Sequence, residues 1–427
     1  MLLKETKKKK MKKFLLTINI LIFCICLTFC QHTTTNRTPT GFVSPAVKPL
    51  EYESYAKEKV DLQDTNIIRK IHALDCYFED KVKSNTFNGA VLISYKGTPI
   101  FERYYGYKDY YTQERLTPRS TFQIASTSKT FTAGAILLLL QQKMLSLEDT
   151  LQKFFPAFPY KGITVRMLLN HRSGLPDYTK FYENYWKDRK NFMCNEDVLQ
   201  MMIKFKPAIY NTPDTHFRYN NSNYVLLALI VERVSGVPFC DFMHQNIFIP
   251  LGMLDTWQYD PLSVRPSATK GYKGSRWYED EIVPTDGVLG DKNIYSTVRD
   301  LYKWDQALLA GKFIRSEYLG LAYTPQSFEK QGNKNYGLGW RIQDQADGTR
   351  LIYHNGWWHS YNSVFNRKIS DRTTVIILSS HYSQSVYKIQ PIWDILYGTG
   401  VVSGSGDEES SETTKKLNTD SLEEMKK

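Results

Sequence analysis

Cysteine is scarce in this 427-residue chain: there are six, and Cys24, Cys26 and Cys30 are crowded into the first 30 residues. Only Cys76, Cys194 and Cys240 remain in the body, so at most one disulfide can form there and no disulfide framework is expected. A chain this long buries enough apolar surface to do without one. Eight scattered histidines form no H-E-x-x-H, no H-x-x-E-H and no group at metal-ligand spacing, so neither a metal nor another cofactor is expected. The apolar run from Phe14 to Phe29 has 16 residues, short for a membrane span. The body also lacks a Lys/Arg block. Of the net charge of +11, +6 lies in the first 13 residues and −3 in residues 407–427, which leaves +8 for the rest. Spread that thinly, the charge argues against a nucleic-acid groove and fits a solvated surface compatible with anionic envelope polymers.

The chain ends have their own composition. Six lysines from Lys7 to Lys13 precede the apolar run, and the polar Gln31-His32-Thr33-Thr34-Thr35-Asn36 follows it, the three-part outline of an export signal over residues 1–30. Its end, Leu27-Thr28-Phe29-Cys30, resembles a bacterial lipoprotein signal with Cys30 as the lipidated residue, although Phe29 stands where a small residue is usual. Plain cleavage, a retained anchor and a start at Met11 are the alternatives. Residues 31–65 read as a tether and 403–427 as a disordered tail.

Between them, Ser126-Thr127-Ser128-Lys129 runs into Phe131 and the apolar Ala133–Leu140 stretch with no proline, the mark of a buried helix. On the first turn of such a helix, positions i and i+3 share a face, so Ser126 and Lys129 come within hydrogen-bond reach. A desolvated lysine has a lowered pKa and can take the serine proton. By itself the pattern also fits a serine cap beside a solvated lysine. Two further stretches change its weight. Tyr219-Asn220-Asn221 precedes a second apolar helix, Tyr224–Val231, which ends near Gly236, and His354-Asn355-Gly356 follows the strand-like Leu351-Ile352-Tyr353.

The order S-x-x-K, Y-x-N, [KH]-x-G resembles the three-box layout of the serine β-lactamase and penicillin-binding-protein superfamily, on its class C, D-aminopeptidase and esterase-like side. The segments Ile163–Pro176, Tyr295–Leu301 and Tyr336–Trp340 are similar to that family too, which extends the resemblance over about residues 66–400. The implied fold is α+β (α/β in the looser sense): an antiparallel sheet of N- and C-terminal strands flanked by helices, plus a mostly helical lobe. The hairpin Gly89–Ser94/Ile100–Tyr105 and the strands near 351 and 375 would form the sheet. The catalytic domain is expected over 66–402, with an α/β lobe at about 66–146 and 311–402 and a helical lobe at about 147–310.

The resemblance also implies roles. Ser126 would be the nucleophile, Lys129 and Tyr219 would share the base task, and Tyr219 would protonate the leaving group. Asn221 would orient Lys129 and the substrate. The backbone N–H groups of Ser126 and Trp357 would form the oxyanion hole, with His354 and Gly356 lining the substrate strand. His171 reads as a structural hydrogen-bonding residue. The third box departs from the Lys-Thr-Gly common in true β-lactamases. Neutral His354 attracts a carboxylate less than lysine, unless a nearby anion raises its pKa, and Trp357-Trp358-His359 adds bulk to the strand. The expected function is therefore an envelope-anchored monomeric serine hydrolase acting on a small ester, amide or D-amino-acid peptide. The alternatives are a β-lactamase or penicillin-sensitive D-Ala-D-Ala carboxypeptidase, and a catalytically silent binding or assembly module. The expected partners are a small-molecule or peptide substrate and the membrane, with no nucleic acid.

Overall fold

A computed structural model describes residues 60–398, apart from 264, 275, 276 and 330. Cys30 and the segments expected as signal, tail and most of the tether lie outside the described residues.

Helix α1 (Thr65–Lys83) starts where the Asp64 carboxylate accepts from the N–H groups of Asn66 and Ile67, and it carries Lys81 and Lys83 in its last turn, against the negative end of the dipole. A hairpin follows. Strands β1 (Gly89–Tyr95) and β2 (Thr98–Tyr105) are joined through Lys96 and Gly97, both at positive φ, as a two-residue loop between right-twisted strands requires. Pro99 is tolerated because β2 is an edge strand. After a long excursion the chain returns to the sheet with β3 (Lys334–Tyr336), β4 (Arg341–Asp344), β5 (Arg350–Trp358), β6 (Tyr361–Lys368) and β7 (Thr373–Ser379). The spatial order is β3-β4-β5-β6-β7-β1-β2, with antiparallel neighbours throughout.

Both faces of this sheet are covered, which is why every residue of β1 and β7 is buried. Alternation sorts them. Val91, Ile93, Val375 and Ile377 pack with Phe78 of α1 and with Ile392 and Trp393 of the C-terminal helix Gln390–Tyr397. Ala90, Leu92, Ile376 and Leu378 point into the larger core.

That core is built on two helices that are apolar nearly all round, α2 (Ser128–Gln141) and α6 (Asn221–Ser235), which pack against each other. Around α6 lie α3 (Val165–Leu169), α4 (Tyr178–Tyr185) and α5 (Asn195–Phe205), and Gly236 closes α6 in the left-handed conformation. Helix α7 (Val298–Ala310) falls inside the stretch expected to be the helical lobe, yet it lies against β1 and β7. Its Asp305 accepts from Arg367 Nε at 2.6 Å and Thr374 Oγ1 at 2.9 Å, a buried pairing that ties the helix to the sheet. Helix α7, at the end of the stretch expected to be the helical lobe, thus packs on the sheet. The described cysteines Cys76, Cys194 and Cys240 form no disulfide.

Candidate active site

Ser126 does not sit on the first turn of α2 itself. It lies in a single 3₁₀ turn, Ala125–Thr127, and α2 begins at Ser128. Ala125 is at φ +46°, a conformation a non-glycine residue keeps only when its surroundings impose it. The surroundings are strands β5 and β6. The Thr127 hydroxyl lies 3.2 Å from the carbonyl of His354 and 2.8 Å from Ser363 Oγ, and Ser363 Oγ donates to the carbonyl of Ile124 at 2.7 Å. Gly356 makes the approach possible: a β-carbon there would stand 2.3 Å from the Ile124 oxygen and 2.9 Å from Ser126 N. The first and third boxes are thus in backbone contact. Ser128 is turned away, accepting from Ile294 N at 3.2 Å, so Ser126 is the serine that faces the lysine.

Lys129 is fully buried. Its Nζ donates to Ser126 Oγ at 3.0 Å, Asn221 Oδ1 at 2.8 Å and the carbonyl of Asp291 at 2.8 Å. Tyr219 completes the group, with its ring centroid 4.9 Å from Lys129 Nζ. Asn221 presents its oxygen to the lysine because Asp177 takes its other donors: Asp177 Oδ2 accepts from Asn221 N at 3.2 Å and Nδ2 at 3.3 Å. The same Asp177 caps α4 through Thr179 N, so a helix start and the lysine's ligand share one carboxylate.

The chain that brings this serine, buried lysine, tyrosine and asparagine together is similar to known proteins. Residues 74–392 match the family model described as Beta-lactamase. Penicillin-binding protein 4* of Bacillus subtilis is 33% identical over 74% of this chain and 73% of its own length. The chain belongs to the beta-lactamase family. Like other members it is a serine hydrolase with the β-lactamase-like fold. A D-aminopeptidase of Brucella anthropi is 27% identical over 63% of this chain and 51% of its own. The fold is shared with the D-amino acid amidase of Ochrobactrum anthropi SV3 (TM-score 0.63, 24% identity, covering 78% of this chain and 97% of that one).

Within this beta-lactamase-family site, His354 does not reach the solvent. Its Nδ1 donates to the Asn355 carbonyl at 2.7 Å, which leaves Nε2 to accept from the Tyr336 hydroxyl at 3.1 Å. Burial first, then the charges of Arg341 and Lys129, push its pKa well below the ordinary histidine value. The charges facing it are thus cations, the opposite of an anion that would raise it. His354 is a neutral support behind the site rather than a contact for a substrate carboxylate. Gly356 is also buried, whereas Trp357 is half-buried.

Two residues matter more than sequence reasoning foresaw. His171 packs against Tyr219 with 4.3 Å between ring centroids, and its Nδ1 accepts from Asn220 N at 3.1 Å. Burial and the neighbouring Lys129, His354 and Arg341 hold it neutral as well. Arg341, the residue after Trp340, brings its guanidinium 5.2 Å from the Tyr219 ring. Tyr219 therefore has two cations and two neutral imidazoles around it. Asp177 directly follows Pro176 and has a cap spacing that could have marked it; Arg341 had no local signal. Among the described residues no His/Cys/Asp/Glu group could hold a metal.

Replacing Gly356 with alanine is expected to cut fluorophosphonate labelling of Ser126 by about 100-fold or more, the scale of a lost oxyanion contact, with an unchanged far-UV circular dichroism spectrum. Wild-type labelling would mean that the turn does not depend on this approach. A second expectation concerns pH. Neutral His354 and His171 have depressed folded-state pKa values, so the unfolded chain binds more protons below about pH 6.5. Their stability contribution is complete above that pH and is lost as the pH falls. Denaturant midpoints should drop between pH 7.5 and 5, and less so in His354→Gln; an equal drop in both proteins would contradict the assignment.

Proposed function

We propose that this protein is an exported, envelope-anchored hydrolase that forms an acyl-enzyme at Ser126 on a small ester, amide or D-amino-acid peptide. The observation that carries the reading is the buried ammonium of Lys129 held 3.0 Å from Ser126 Oγ. Lys129 and Tyr219 share the base task as an ammonium–phenolate pair: the Tyr219 oxygen takes the proton as Ser126 Oγ attacks the carbonyl carbon, and the Lys129 ammonium beside it offsets the charge. The oxygen that gains charge is met by the N–H groups of Ser126 and Trp357. Collapse expels the leaving group, which takes a proton from Tyr219, and water then releases the acyl group by the reverse proton path. His354 in place of lysine, together with the likeness to a D-aminopeptidase, supports substrates other than penicillins.

Arg341 favours a second reading. A guanidinium beside Tyr219 on the leaving-group side suits a free carboxylate, as a D-Ala-D-Ala carboxypeptidase or a β-lactamase would need. All three boxes are intact, which weighs against a silent binding module. For location, the lysine-rich start, the apolar run and Cys30 support export followed by lipidation, with residues 31–65 as the tether.

Turnover of a p-nitrophenyl ester, a D-alanyl amide and nitrocefin by wild type and Ser126→Ala separates these readings. The expected result is Ser126-dependent hydrolysis of the ester and the amide, with nitrocefin slower than either. Nitrocefin turned over fastest would establish the second reading, and no Ser126-dependent turnover of any probe would overturn both.

A further inference from the structure

The run Trp357-Trp358-His359 carries bulk along β5 beyond the third box, and acyl transfer as described makes no use of Trp358 or His359. Which part of a substrate they meet follows from the position of the leaving group. That group takes its proton from Tyr219, whose ring lies 6.2 Å from that of His354 and 5.2 Å from the Arg341 guanidinium. His354 precedes Gly356 on β5, and Arg341 sits on β4 opposite Tyr353. The leaving group therefore departs toward the upstream end of the box. With the oxyanion held at Ser126 and Trp357, the acyl substituent must run the other way, past Trp357 toward Trp358.

At that end the strand is bridged to the segment that supports the catalytic lysine. The Trp358 ring lies 4.7 Å from Lys292 Nζ, and its Nε1 donates to Asp286 Oδ1 at 2.7 Å. His359 Nε2 is 3.0 Å from both oxygens of the same carboxylate. Lys292 is itself buried, bonded to the Tyr178 hydroxyl and lying 3.3 Å from Asp291 Oδ2. Asp291 is the residue whose carbonyl accepts from Lys129. The bridge thus leaves the oxyanion strand at Trp358 and ends next to the lysine's ligand. The indole cannot swing aside without giving up its hydrogen bond and its contact with the cation together.

We propose that the Trp358–Lys292 bridge, clamped by Asp286 and His359, is the end wall of the acyl site and restricts the enzyme to small acyl groups such as acetyl or a small aminoacyl. The inference rests on Ser126 being the acylated nucleophile. It assigns Trp358 a specificity role and Asp286 a positioning one.

The test is kcat/KM for p-nitrophenyl acetate, butyrate and octanoate with wild type, Trp358→Ala, Trp358→Phe and Asp286→Asn, with fluorophosphonate labelling of Ser126 followed in the same preparations. Wild type should favour acetate. Trp358→Ala should raise the octanoate-to-acetate ratio by about tenfold or more, the scale on which apolar pockets discriminate size. The rise should come mainly through a lower KM for octanoate. Asp286→Asn, nearly isosteric, should shift the ratio the same way by less, and Trp358→Phe should fall between, which keeps the test decisive if the alanine variant does not fold. An unchanged ratio in labelled, acetate-active variants overturns the end wall while the hydrolase reading stands. Absence of label and turnover in wild type overturns both.

Discussion

The contact between the nucleophile turn and strand β5 is the constraint from which the rest of the site follows. Ala125 adopts a backbone conformation that costs about 1–3 kcal/mol in isolation. It persists because Thr127, Ser363 and the carbonyls of Ile124 and His354 bind the turn to two strands, and because Gly356 presents no side chain where Ser126 N arrives. The turn then leads straight into α2, the most deeply buried helix of the larger core, so neither end can relax without disturbing the packing. Ser126 is held from the sheet on one side and from the helical core on the other.

That rigidity allows a charged lysine to be buried. Taking an ammonium out of water costs several kcal/mol even after relaxation. Hydrogen bonds to charged groups return roughly 1.5–3 kcal/mol each, so the three oxygens around Lys129 offset the cost only if all are in place. Each has its own support. Ser126 is fixed by the turn, the Asn221 oxygen by Asp177, and the Asp291 carbonyl by a side chain bonded to Tyr178 and Lys292. Losing Ser126 to acylation removes one ligand from the lysine.

The legible part of this protein was whatever a local pattern encodes. The two helices apolar on every side, the hairpin at Lys96-Gly97, the sheet strands and the three boxes all follow from runs or spacings within a few residues. The structure brings Ser126, Lys129, Tyr219, Asn221, Gly356 and Trp357 into one region as those boxes suggested. What escaped depends on pairings between different elements of the fold, which no local run or spacing encodes. Helix α7 reads as part of the helical stretch until Asp305 is seen facing Arg367. Arg341 is an ordinary arginine until strand pairing sets it near Tyr219, and His354 looks like a substrate contact until Tyr336 closes over it. The clamp of Trp358 and His359 on Asp286 joins positions 72 and 73 residues apart, and no local signal connects them.

The central claim is that buried Lys129 activates Ser126 within a turn that the fold holds ready. Intact-protein and peptide mass spectrometry after rapid quench with a slowly deacylated ester tests it most directly. The account predicts a single acyl adduct on the peptide containing Ser126 in wild type, and none above background in a Lys129→Ala variant that keeps the wild-type circular dichroism spectrum. An adduct on Ser128 or elsewhere, or acylation of Ser126 at the wild-type rate without Lys129, would contradict it.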